Sequence, residues 1–258
     1  AADKKYPGAG DYTWGEGLTR NDYEIHFQGT AAGQTANVAV NDNYENAFPF
    51  SIEGIDVIFT ADTDEHGLTL GGNNRTLEIM GRTEGNDYGS MVIAKGTYIF
   101  NPSKNFWLGK SAGNGVFTAK DGTITFSNQI FIGDTTADTE GEFNVEGGTV
   151  TANDYTCVGY SQGSGTMNIT GGTFTQIDSK NFIVGQGKNT SAKGTLNVSG
   201  TGKLVVNQLW IAENTTPGEV NLNEGGTIEA RSFKTGTEGG VATVNFNGGT
   251  LKSRTANN

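Results

Sequence analysis

The sequence predicts an all-β chain wound as a right-handed parallel β-helix, each coil of about 25 residues built from three strands. Three observations predict it. One phrase recurs: "GEFNVEGGTV" at Gly141, "GTMNITGGTF" at Gly165, "GEVNLNEGGTI" at Gly218 and "ATVNFNGGTL" at Ala242. In addition, 40 glycines stand against 4 prolines in 258 residues, which suits many tight turns between short strands rather than helices. Finally, only 34% of residues are hydrophobic. That is too little for a thick two-layer core and enough for a thin one repeated along an axis.

Aligned on its glycine turns, each unit has three strands. The opening strand is an apolar triplet before a small residue: "FWLG" from Phe106, "IFIG" from Ile130, "TCVG" from Thr156, "FIVG" from Phe182 and "LWIA" from Leu209. A loop of variable length follows, as a stacked coil tolerates at one corner. The middle strand alternates with a period of two. It therefore points Phe143 and Val145, Met167 and Ile169, Leu196 and Val198, Val220 and Leu222, and Val244 and Phe246 inward. The asparagine within each pair (Asn144, Asn168, Asn197, Asn221, Asn245) then faces out, and stacked in register these amides form a ladder. After a glycine turn the closing strand begins at Thr97, Thr123, Thr149, Thr173, Lys203, Thr227 and Thr250, sending Val150, Phe174, Leu204, Ile228 and Leu251 inward.

Residues 1–88 are less regular, although "ANVAV", "GIDVIFTA", "GLTLGG" and "RTLEIMG" read as strands. They are expected to form irregular first coils and a cap, and residues 89–258 the regular helix of the same domain. An open solenoid end needs such a cap against edge pairing. None is legible in "LKSRTANN", so either further domains linked in the same chain or some other cover is expected there.

The formal charge of −11 disfavours DNA, RNA and anionic lipid, and equally polyanionic glycans unless calcium bridges them. Neutral partners fit best. No apolar run is long enough to cross a membrane as a helix, and no leader is legible at the start of the chain. A single cysteine, Cys157, excludes an intrachain disulfide framework and a Cys-rich metal site.

In the opening strand the first and third residues point inward, so the middle ones point out. These are Trp107, Phe131, Cys157, Ile183 and Trp210, an apolar and partly aromatic row on an otherwise polar surface. Coils stack one strand spacing apart, which sets Trp107 and Trp210 about 19 Å from each other. Such a row suits an extended neutral polysaccharide lying along the axis. Trp107, Phe131 and Trp210 would stack on sugar faces beside Ile183, with Tyr155 and Tyr160 as rim contacts. An outward apolar row also marks a face covered by the chain itself or by a second protomer.

Catalytic chemistry is harder to find. A hydrolase needs carboxylates converging from neighbouring coils, but the acids fall mostly in loops: Asp134, Asp138 and Glu140, or Asp62, Asp64 and Glu65. Arg231, Lys234, Lys252 and Arg254 cluster near the C-terminus, as a lyase would want. His26 and His66 show no evident partner. The acidic stretch "TADTDEHG" offers oxygen donors for calcium without the spacing of a known calcium loop. No catalytic, cofactor or metal residues are therefore assigned.

From Ser90 to Leu251 the repeats resemble the pectin-lyase-like right-handed β-helices, and more closely the Gly-Gly-Thr arrays of bacterial secreted surface proteins and autotransporter passengers. The signatures of polygalacturonase-like enzymes are absent. The resemblance implies a secreted or cell-surface bacterial protein. It includes the β-helical carbohydrate-binding modules attached to plant cell-wall hydrolases such as xylanases. The expected function is a non-catalytic module binding a neutral plant polysaccharide, xylan first. An adhesin or autotransporter-like stalk is the alternative, and a polysaccharide lyase or glycoside hydrolase with an unfamiliar site is a third.

Overall fold

The computed structural model describes residues 3–71, 77–80, 88–101, 105–110, 113–134, 137–177, 179–236 and 238–254. The chain is a right-handed parallel β-helix of about 9 turns, roughly 26 residues and three strands each. No helix occurs among the described residues. The middle strands make a ten-stranded sheet running from Gly10–Thr13 to Ala242–Asn247. The opening and closing strands join in a second sheet of 17 strands. They merge because Lys203–Ile211 and Thr227–Thr235 each run straight through the corner between those two faces.

Register follows the repeated phrase. Asn144 pairs with Asn168, Asn168 with Asn197, Asn197 with Asn221, and Asn221 with Asn245. Along this ladder each amide Nδ2 donates to the Oδ1 of the coil before it, at 2.7–2.9 Å. The inward residues of the middle strands fill the bore and are buried from Phe143 to Leu222. Polar residues at inward positions are satisfied there: the Thr156 hydroxyl donates to Oε1 of the equally buried Gln176 at 2.6 Å. At the Gly-Gly corner Gly148 has φ +67, and a Cβ there would meet the carbonyl oxygen of Gly122 at 2.4 Å. At the corner after the opening strand, four coils use glycine and the fifth uses Ala212, which takes the same left-handed conformation with φ 54.

The two ends differ. Near the N-terminus Trp14 plugs the bore, fully buried against Phe50 and Phe59, with its indole N–H donating to Asn21 Oδ1 at 2.8 Å. Thr19 pins the plugging loop by donating to the carbonyls of Thr13 and Glu16. At the other end Val244, Phe246 and Leu251 point inward as expected but are exposed, Phe246 by 60%, because no described coil lies beneath them.

Candidate functional site

The sheet register carries the outward row much further than the sequence suggested. Trp107 pairs with Phe131, then Cys157, Ile183, Trp210 and Lys234 in successive coils. Toward the N-terminus Trp107 pairs with Glu78, Glu78 with Ser51, and Ser51 with His26, and the ring of Tyr6 stacks on His26. One line of side chains thus runs from a polar half, Tyr6 to Glu78, into an apolar half, Trp107 to Trp210.

The apolar half points out of the bore as expected, but the open stacking platform is corrected by its burial. Trp107 is 9% exposed, Phe131 6% and Ile183 1%. Trp107 and Phe131 stack on each other with centroids 4.4 Å apart. Tyr160 closes over both, 4.5 Å from Phe131 and 5.9 Å from Trp107, and Tyr155 packs on Phe131 at 5.7 Å. The two tyrosines expected at the rim are therefore the lid. The physical reason is the area at stake: five adjacent apolar side chains left bare would form a patch that a chain gains by covering. Tyr155 stays polar at its tip, where its hydroxyl donates to Gln186 Oε1.

Cys157, beneath this lid, is wholly buried, and burial pushes its thiol well above the ordinary range; Glu213 adds to the effect while a hydrogen bond with Tyr155 opposes it. Burial likewise drives the Tyr155 hydroxyl upward. Of the expected stacking rings, Trp210 is the one that is half-buried and not buried. The Lys234 ammonium sits 3.7 Å from its ring centroid, a cation–π contact that occupies one face. Its indole N–H is buried without a hydrogen-bond partner, as is Glu213 Oε2 three residues on.

Both histidines have partners, contrary to the expectation. His66 Nδ1 lies 2.6 Å from Asp62 Oδ1. His26 Nε2 lies 2.9 Å from Glu24 Oε1, and its Nδ1 2.7 Å from Ser51 Oγ. A carboxylate only accepts, so Nε2 donates to Glu24 and Nδ1 is left to accept the Ser51 hydroxyl proton. Burial works to raise the Glu24 carboxyl, but hydrogen bonds from His26 and Lys4 outweigh it and hold the group below the usual range. The sequence signal for this array was the period itself: Ser51 stands 25 residues after His26, one coil on.

In the acidic loop considered for calcium, Asp62 is engaged by His66 and Asp64 lies 3.7 Å from Lys95 Nζ. Among the described residues no group of three or more His, Cys, Asp or Glu is placed to hold a metal. Of the C-terminal basic cluster, Lys234 serves Trp210, while Arg231 and Lys252 are exposed. No family model, curated protein or solved structure matches the chain.

Proposed function

We propose that the chain is a rigid surface scaffold, a stalk-like solenoid whose repeats build length and present what is attached to them. One observation carries this reading: the outward apolar row is spent on the protein's own packing. Tyr155 and Tyr160 close over Trp107, Phe131 and Cys157, and the outward asparagines hydrogen-bond one another from coil to coil. Side chains that would otherwise meet a ligand hold neighbouring coils in register instead.

A second reading, the neutral-glycan-binding module with xylan as first ligand, is favoured by Trp210, the expected stacking ring that stays half-buried. Native affinity electrophoresis against xylan, mixed-linkage glucan, cellulose, mannan and pectin separates the two. The scaffold reading expects unretarded migration in every gel. Retardation by one neutral glycan that Trp210→Ala abolishes, with an unchanged melting temperature, overturns it in favour of the module.

A further inference from the structure

We propose that Ser51 is an activated nucleophile, with His26 as its general base and Glu24 as the group that orients the base. This goes beyond the scaffold reading and rests on the polar half of the outward row. The array Glu24 Oε1, His26 Nε2, His26 Nδ1 and Ser51 Oγ is continuous, with links of 2.9 and 2.7 Å. Both lie within the range for a working base and nucleophile. Each member is held by the fold. Glu24 and His26 alternate outward on the strand Tyr23–Gln28, and Ser51 stands opposite His26 on Phe50–Glu53. Tyr6 stacks on the imidazole with centroids 5.5 Å apart and an interplanar angle of 24°, fixing its plane. Glu24 is partly neutralised by Lys4 Nζ at 3.3 Å, and Glu78, next along the row after Ser51, is paired with Lys110. Neither carboxylate therefore confronts an incoming acyl group as a bare charge.

The surroundings also define the substrate class. Ser51 sits inside a parallel sheet, between Tyr23–Gln28 and Leu77–Met80, whose backbone N–H groups are committed to the ladder. With the strand amides beside it so committed, the acyl donor must bring a good leaving group. Aryl esters and other activated esters fit this requirement; peptides and unactivated amides do not. In the step itself the Ser51 proton passes to His26 Nδ1 as Oγ attacks the carbonyl carbon. The carbon–aryloxide bond then breaks, and the departing oxygen takes that proton. Water, deprotonated by the same nitrogen, later hydrolyses the seryl ester and restores the Ser51 hydroxyl.

The test uses the whole chain with p-nitrophenyl acetate, following nitrophenolate release and mapping the acetyl group by peptide mass analysis. Acetylation of Ser51 is expected, absent in Ser51→Ala. His26→Gln, which keeps a polar side chain in the row, is expected to slow it by about a hundredfold. Glu24→Gln should slow it by about tenfold or more. An acetyl group found on Lys4 or Tyr6 with Ser51 unmodified overturns the proposal, as does an unchanged rate at Ser51 in His26→Gln. Should a variant fail to fold, the position of the acetyl group on the wild-type chain still decides the matter.

Discussion

The outward row divides into two halves that share one backbone geometry and differ in everything else. From Tyr6 to Glu78 the side chains are polar and open at least in part to solvent, Tyr6 stacked on His26 and the others hydrogen-bonded or ion-paired along the row or beside it. From Trp107 to Ile183 they are apolar and sealed under two tyrosines or buried beside them. The difference teaches that a repeat fixes where a side chain points and leaves its use to the particular residue. The apolar half consolidates the coils, and the polar half keeps hydrogen-bonding groups within reach of solvent.

Four expectations would break or sharpen this contrast. The largest effect belongs to Phe131→Ala, which removes the ring that Trp107, Tyr155 and Tyr160 all touch. A loss of about 3 kcal/mol is expected in denaturant titration; a loss near zero would mean the sealed half is not a packed layer. Tyr160→Ala should cost about 2 kcal/mol. It should also make Cys157 react with a thiol reagent under native conditions, where the wild-type thiol, buried and held protonated, stays silent.

The third expectation concerns acid. Glu24 titrates below the ordinary 4.5 in the folded chain, as do Glu219, held by Lys193 and Asn221, and Glu229, held by Lys203. Their contribution is whole above that unfolded value and drains away as pH falls through the depressed folded values. Stability should therefore drop below about pH 4.5. In Glu24→Gln the drop should be shallower, while Phe131→Ala should keep its full wild-type slope. Smallest is Ser51→Ala, which removes one partly exposed hydrogen bond and should change stability by less than about 1 kcal/mol. A large loss there would make the polar half structural after all.

Much of this was legible in the sequence, for reasons that can be traced to residues. The coil period, the inward pairs such as Met167 and Ile169, and the asparagine ladder all follow from alternation and repetition. So did the outward direction of Trp107 and Phe131. Their burial was not legible, because it depends on how Tyr155 and Tyr160 turn at a corner, and no period governs a corner. Val244, Phe246 and Leu251 were read correctly as inward, yet burial needs a coil on both sides. His26 was misread for a related reason. Its partners lie two residues back and one coil on, and the second distance is visible only once the irregular first coils are aligned with the rest.

Trp14 gives the molecule a direction. With the bore stopped at the N-terminal side, a first wound coil offers a template on its other side only. Each added coil closes onto residues only 24–29 positions back, as the asparagine contacts record. The entropic toll of closure is therefore the same for every coil and does not grow with the length already wound. Winding can advance from the stoppered end like thread onto a spool, at a pace set by the single turn and not by the number of turns.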